Sequence, residues 1–572
     1  MRVALHGCVT TMRRQGVRVT GQVVGTESKA GTDRNAWLRI SGLVLLAACL
    51  TAIVASRSIE ASQLHGRLSV PPLYDDVSYF LDAVRWTKAA SDQSMFASLW
   101  DLLRQHAPFS TLVAIIGFAL FPGSFIGPYL VHAVAVFAFL FGIIWLLRGR
   151  PVLEIAACLL TVACVPVVWH TVTEARPDLP SGLAIGLAAG AIVHRAVLAR
   201  RARSLAMLGV ACALAASIKP TSFPAALVLL GSAFAIRLFV DCIEAGGLRS
   251  SIRSALSALL WFVLPLIATM AVLIGPALVE TVTYILNVFV GQRDLWTTGE
   301  SFRAGLLRFS IGGEGQFGLH DWFAIGLALM LLRLVLAAIH GRAALLDAAV
   351  LLAAVLIAYA IPSVAEIKTY YFGAMFYGLF IVAMVLNGCA SLDLLEALFA
   401  RFGLGNGIRG NLLIAGRVAA LAFVLQLFVR HVVIGQISTA TPLSAQQQES
   451  IRVATERLWS LLRDVKPVEP GSLTVGFSSP YPVTSATIQL YAAQARINLV
   501  VRNELFHRTA QATGDALLKS EILVLSSSIQ HTLIGPRVGD ELIARMDAEK
   551  GVCQLDTQTF PDVTLRVYRH GC

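Results

Sequence analysis

Pro71-Pro72-Leu73-Tyr74-Asp75-Asp76-Val77-Ser78-Tyr79 interrupts, just after the first long apolar stretch, a chain that is otherwise apolar almost from end to end. Two adjacent carboxylates in a first outward loop put a proton acceptor at the membrane face. A substrate anchored in lipid can react there at its polar end. A single Asp ahead of an amphipathic segment reads more simply as a helix cap. The second Asp favours a site, as does a further polar cluster at Glu174-Ala175-Arg176-Pro177-Asp178, predicted to reach the same side.

Outward from that loop, hydrophobic residues make up 56% of the 572 positions and charged residues 14%, with a mean hydropathy of +0.70. This balance excludes an ordinary soluble globule and predicts an α-helical polytopic membrane protein. Taking about 20 apolar residues per crossing, the chain divides into about eleven spans. They fall at 37–56, 124–147, 152–170, 179–199, 204–218, 222–240, 255–277, 322–339, 343–362, 370–387 and 412–433. The apolar run 109–121 is short and ends at Pro122-Gly123, which predicts an interfacial or re-entrant helix of the first outer loop, 57–121.

The formal charge of +11 follows from topology rather than from nucleic-acid binding, which is not expected. Arg148 and Arg150, then Arg195 to Arg203, Arg249 and Arg253, Arg342, and Arg401 and Arg409 mark every second loop. By the positive-inside rule those loops and the basic tail 1–36 are cytoplasmic. The acidic pair, the 171–178 turn, Lys219, the 278–321 loop and the residues from 436 onward are then outside. The tail lacks the apolar core of a cleaved signal peptide, so the first span is expected to be an uncleaved signal anchor.

Gly182, Gly186 and Gly190 recur at four-residue spacing in the fourth span, a smooth stripe that lets another helix approach closely. Gly313-Glu314-Gly315-Gln316-Phe317-Gly318 matches a dinucleotide fingerprint by letters only, since no strand precedes it. The 278–321 loop around it is expected to be a mobile cover over a site. Beyond 436 a helix to Asp464 and strands at 473–477, 497–501, 522–525 and 563–568 predict a small α/β domain, 436–572. The cysteines show no metal spacing; Cys553 and Cys572 share the outer domain, and spacing alone does not decide whether they pair.

Three groups on the outer face can act together. Asp75 and Asp76 can supply a base, Arg176 lies between Glu174 and Asp178, and Lys219-Pro220-Thr221 follows the short fifth span. Each stands beside a proline that fixes its turn. Glu366, Lys368, Tyr370 and Tyr371 add a polar-aromatic group, in which Lys368 and Tyr370 are candidate substrate contacts and the tyrosines otherwise read as an interface belt.

As an ordered set these motifs resemble the membrane glycosyltransferases of the GT-C fold, in the family 39-like branch of protein mannosyltransferases and aminoarabinose transferases. The acidic pair resembles that branch's first-loop motif. Ala175-Arg176-Pro177-Asp178 is similar to its Ala-Arg-Pro-Asp after the third span, and Lys219 to its lysine after the fifth. His106-Ala107-Pro108-Phe109 stands where the branch shows Pro-Pro-Leu and departs from it. The resemblance covers about residues 37–390 within a transmembrane domain of 37–435.

The resemblance implies a polyprenyl-phosphate-sugar donor, a glycan, lipid or protein acceptor, and inverting transfer outside a bacterial inner (plasma) membrane. Asp75 is then the first choice for the base and Asp76 the second, with Arg176 and Lys219 stabilising the leaving phosphate. Glu174 and Asp178 would orient Arg176 or contact sugar hydroxyls. Carboxylates at Asp75, Asp76 or Asp178 suit Mg²⁺ or Mn²⁺, yet no ligand spacing demands a metal, so no cofactor is expected. The alternative reading is a polytopic transporter or lipid flippase. It expects charges near mid-membrane and internal repeats, whereas here the charges gather at one face.

Overall fold

The computed structural model describes residues 34–572 except 91–93, 106, 294–298, 366–369, 404–405, 440, 466–471, 506, 508 and 530–537. Most of the predicted basic tail lies outside the described residues. All the predicted spans are helical. Eight of them fall on helices long and apolar enough to cross a membrane, from Trp37–His65 to Gly407–Ile434. The span at 152–170 is a pair, Val152–Ala163 and Pro166–Thr173, bent by 60°. The spans at 179–199 and 204–218 are the shorter helices Asp178–His194 and Ala202–Ser217.

The bend has a local cause. Pro166 has no N–H for the Val162 carbonyl and its ring crowds the preceding turn, so the helix bends there and the next carbonyls lose their helical partners. Indole N–H groups replace them: Trp169 donates to the Ala163 carbonyl at 2.7 Å and Trp322 to the Cys164 carbonyl at 3.1 Å. In a lipid environment such substitutes are what make a broken helix tolerable.

The glycine stripe packs as its spacing predicts. A Cβ on Gly182 would lie 2.4 Å from the Ala374 backbone, one on Gly186 2.2 Å from the Leu379 nitrogen, and one on Gly190 2.3 Å from Val382 Cγ1. The Asp178–His194 helix therefore lies directly on Ala374–Arg401, each glycine seated against the facing helix. This contact joins the 171–178 turn, at the start of one helix, to Tyr370 and Tyr371, at the start of the other.

Two expectations about the outer loops are corrected. The first helix runs on to His65, well past the predicted end at 56, because residues 57–65 hold no Gly or Pro and Arg57 pairs with Glu60 one turn on, until Gly66 ends it. The predicted 278–321 loop is instead largely helical, with Leu278–Leu286, Phe302–Ser310 and Gly313–Gly318. Ser301 caps the second of these by accepting from Ala304 N–H at 3.3 Å. Gly315 permits the third to fold back, since a Cβ there would meet the Ser310 carbonyl oxygen at 2.1 Å. The fingerprint-like glycines thus form one short helix behind another helix, with no strand before them among the described residues.

The first outer loop carries Tyr74–Ala90, Met95–Leu103 and the apolar Pro108–Leu120, which ends ahead of Gly123 at φ +77°.

The C-terminal part begins with Ala445–Asp464, opened by a capping box of Ser444 and Gln447. Among the described residues its strands are β1 Leu473–Ser478, β2 Leu499–Asn503, β3 Ile522–Ser526, β4 Val552–Thr559 and β5 Thr564–His570, in the order β2-β1-β3-β5-β4. β1 pairs parallel with β2 and β3, and β5 pairs antiparallel with β3 and β4. Alternate residues serve opposite faces. Val475, Phe477, Ile522 and Val524 pack on Leu458, while Leu523, Leu525 and Tyr568 pack on Leu542 and Met546. Sequence reading missed β4, an edge strand whose polar run keeps only Asp556 and Gln558 buried. Cys553 and Cys572 form a disulfide that ties β4 to the chain end.

This domain sits against the first outer loop. The Leu443 N–H donates to the His65 carbonyl at 2.8 Å, the Thr487 hydroxyl donates to the Pro72 carbonyl at 2.8 Å, and Tyr491 stacks on Phe125.

Candidate active site

The acidic pair opens the Tyr74–Ala90 helix, where carboxylates in the first turn suit the positive end of the helix dipole. Being consecutive, the two point in different directions from the helix axis. Asp76 is 0% exposed, whereas the Asp75 side chain is 62% exposed. Capping alone gives no reason to bury one of them completely.

What holds Asp76 inside is Arg67, in the short turn Arg67–Ser69 that follows the first helix. Its guanidinium is buried and lies 3.4 Å from Asp76 Oδ2 through Nε, ion-pairs with Glu174 through one terminal nitrogen, and donates to the Leu73 carbonyl at 3.3 Å through the other. The Tyr129 hydroxyl donates to Asp76 at 2.8 Å. Glu174, also fully buried, accepts from the Tyr371 hydroxyl at 2.8 Å and the Thr441 hydroxyl at 3.1 Å. A buried charge set of this kind persists only when each charge is paired.

Arg176 leads from this buried set to the surface. It lies 3.8 Å from Glu174 on one side and 3.1 Å from Asp75 on the other. Its guanidinium carbon stands 4.2 Å from the centre of the Tyr371 ring, a cation–π contact that fixes the fork. Asp178, expected to orient Arg176 or to contact sugar hydroxyls, ion-pairs with Lys219. The two pairs share one face: the nearly buried Tyr79 hydroxyl is held well above its ordinary pKa by burial first, then by the nearby charges of Asp178 and Asp75.

Electrostatics separate the two buried carboxyls. Burial raises Asp76 to about 6, with the Glu174 charge adding to the rise, against the opposing pull of Arg67, Arg176 and the Tyr129 hydrogen bond. Glu174 is lowered: burial pushes it up, but Arg67, Arg176 and the Tyr371 hydrogen bond together outweigh that. Arg67 is shared between two carboxylates, and Glu174 has the larger share of cations and donors.

Of the remaining predicted site residues, Lys368 lies outside the described residues, as does Glu366. Tyr370 is buried, its hydroxyl 2.9 Å from His170 Nδ1 and its ring beside Phe317, so it packs away from the acidic pair. Tyr371 makes the site contacts. Neither tyrosine forms an interface belt, because the helix turn that carries them folds inward onto the 166–178 region. Among the described residues, no three His, Cys, Asp or Glu side chains are grouped to hold a metal ion.

Sequence reasoning missed Arg67, Tyr129 and Thr441. A signal for Arg67 was present: it is an arginine in a loop that the positive-inside pattern places outside, where a cation calls for another explanation. Thr441 had none, lying about 270 residues from its partner in a polar linker.

No protein-family model matches the chain, and no curated protein matches it. Solved structures do. ArnT from Cupriavidus metallidurans in the apo state superposes with a TM-score of 0.53 at 13% identity, over 92% of this chain and 98% of that one. The same protein bound to undecaprenyl phosphate gives a TM-score of 0.54 over the same shares. The chain has the GT-C fold. The oligosaccharyltransferase of Archaeoglobus fulgidus is more distant, with a TM-score of 0.45 at 12% identity over 83% of this chain and 67% of that one. The GT-C resemblance of the motif set therefore extends to the architecture, and the superposition takes in nearly the whole chain, past the predicted limit near residue 390.

Proposed function

We propose that this chain is a membrane glycosyltransferase that moves a hexosyl or pentosyl group from a polyprenyl-phosphate donor to an acceptor hydroxyl, with inversion. The reaction would take place on the extracytoplasmic face of a bacterial inner membrane. The observation that carries this reading is the division of labour within the acidic pair. One carboxylate is exposed beside a fixed guanidinium, and its neighbour is locked beneath in a paired network.

In the proposed step, Asp75 takes the proton of the acceptor hydroxyl as its oxygen attacks the anomeric carbon. The bond from that carbon to the phosphate oxygen breaks, and the electron pair leaves on the phosphate. Phosphate is a good leaving group and needs no proton, so one base suffices. Arg176 and Lys219 meet the growing negative charge. Asp75 and Asp178 partner these cations at rest, and an arriving phosphate would take their place. Asp76 is inaccessible to an acceptor and serves the site through Arg67. Each carboxylate of the site has a cation partner, and the proposed step draws on these residues alone.

The test is transfer of labelled sugar from undecaprenyl-phosphate-linked donors into membrane lipids, glycans or proteins by the purified chain in lipid. Transfer that needs Asp75 supports the proposal. Binding of undecaprenyl phosphate with no transfer to any of these acceptors would count against it.

A further inference from the structure

The Tyr74–Ala90 helix carries a second set of polar groups away from the acidic pair. Asp75, Asp82 and Trp86 recur at intervals of seven and four residues, so they share one face, with Asp82 about 10 Å along the axis from Asp75. Around Asp82 and Trp86 lies an open cleft of about 470 Å³, completed by Arg85, by Asp101 and Arg104 on or just after the Met95–Leu103 helix, and by Glu280. The Trp86 indole nitrogen donates to the Ser98 carbonyl at 2.8 Å, which holds the ring in place as part of the wall.

The far side of the cleft wall fixes its depth. On the Met95–Leu103 helix, Met95, Phe96, Leu99 and Trp100 are exposed on one face, while Asp101 turns the opposite way into the cleft. A short helix with an exposed apolar face of this kind lies in the membrane interface. The cleft therefore opens at headgroup level, on the same side as Asp75.

Its chemistry is selective. Three carboxylates face two guanidinium groups; Arg104 is taken up by Glu280 at 3.0 Å, and Arg85 donates to Gln489 at 2.9 Å. Among the described residues, neither Asp82 nor Asp101 forms an ion pair, although the Arg85 charge is close enough to act on Asp82. A lining with more carboxylates than guanidinium groups repels an anionic headgroup but accepts hydrogen bonds from hydroxyls or an amine, and a fixed indole offers an apolar wall for the C–H surface of a sugar ring.

We infer that this cleft binds the uncharged or amine-bearing sugar headgroup of a membrane glycolipid, which presents the acceptor hydroxyl to Asp75. Identifying that glycolipid as the acceptor rests on the glycosyltransferase reading; binding itself does not. The distance from Asp75 exceeds the span of one monosaccharide, so the cleft takes a sugar of the acceptor, not the one being transferred.

The test measures binding of digalactosyl- and diglucosyl-diacylglycerol to the purified full chain by native mass spectrometry. Phosphatidylglycerol serves as the anionic comparison and undecaprenyl phosphate as the donor-side control. A diglycosyl lipid should bind in preference to phosphatidylglycerol, and Trp86→Ala and the isosteric Asp101→Asn should each weaken it about tenfold. Undecaprenyl phosphate binding should be unchanged in both variants. Equal retention of diglycosyl lipid and phosphatidylglycerol overturns the inference, as does full retention of the diglycosyl lipid by both variants. Cleft-dependent glycolipid binding in a chain that transfers no sugar would leave the cleft standing and remove the enzyme reading.

Discussion

Asp75 and Asp76 are neighbours in sequence with opposite surroundings: Asp75 is exposed and paired with Arg176, and Asp76 is sealed beneath it against Arg67. One peptide unit separates an accessible carboxylate from a buried one.

Asp75→Asn keeps the size of the side chain and much of its hydrogen bonding but loses the basic oxygen. Transfer should fall about 10²–10⁴-fold while undecaprenyl phosphate still binds. A first-turn cap accepts Asn nearly as well as Asp, so normal transfer by this variant would reduce Asp75 to a cap.

Arg67→Leu leaves Asp76 and Glu174 buried without their shared cation. Loss of one member of such a network costs about 3–5 kcal/mol, so the purified variant should unfold at a markedly lower temperature. Arg67→Lys should recover part of the loss, since a point charge replaces a fork that serves two carboxylates and a carbonyl. Wild-type Tm in Arg67→Leu would mean that the network adds nothing to stability.

For Lys219→Ala, the variant should weaken undecaprenyl phosphate binding or slow turnover with the fold intact. Removing a charged contact at a poorly hydrated site costs about 2–5 kcal/mol. Unchanged affinity and turnover would make Lys219 only the partner of Asp178.

A pH dependence follows from the raised pKa of Asp76. A carboxyl that holds its proton more tightly when folded contributes most below its ordinary value of 3.8, and that contribution is lost as pH rises through about 6. Glu174, being lowered, works in the opposite sense and loses its contribution only as pH falls below its ordinary 4.5. Between about pH 7 and about pH 5 Glu174 does not offset the Asp76 effect, so wild type should gain stability relative to Asp76→Asn as pH falls. Thermal unfolding of both proteins across that range checks the sign; a constant difference would show that Asp76 does not titrate there.

Topology gives the remaining expectation. A reporter fused after residue 203 should read cytoplasmic, and one at the C-terminus should read external. A cytoplasmic signal from the second would place Asp75 on the other face and remove the proposed site of reaction.

Much of the architecture was legible because a membrane asks for long apolar runs, and the glycine stripe at 182, 186 and 190 marked a face for close helix packing, though not the helix that fills it. The bend near Pro166 was harder to see, since it depends on indole donors that close the break from one residue nearby and another far along the chain. Asp75, Arg176 and Lys219 could be read as one set because prolines and polarity mark their turns. Their pairing could not: Asp178 went to Lys219 and Glu174 to Arg67, a choice made by three-dimensional packing. Tyr370 and Tyr371 looked alike in sequence, and only the fold of their turn decides which of them touches Glu174.

Thr441 belongs to the strand of chain that leads out of the last membrane helix, yet its hydroxyl completes the shell around Glu174. The two halves of this protein are therefore not interchangeable cartridges. A chimera that borrows another C-terminal domain and joins it at Gly435 would replace part of the shell of the buried Glu174 network along with the domain. A junction placed beyond Leu443, whose N–H is fastened to His65, would keep that shell and exchange only what lies outside it.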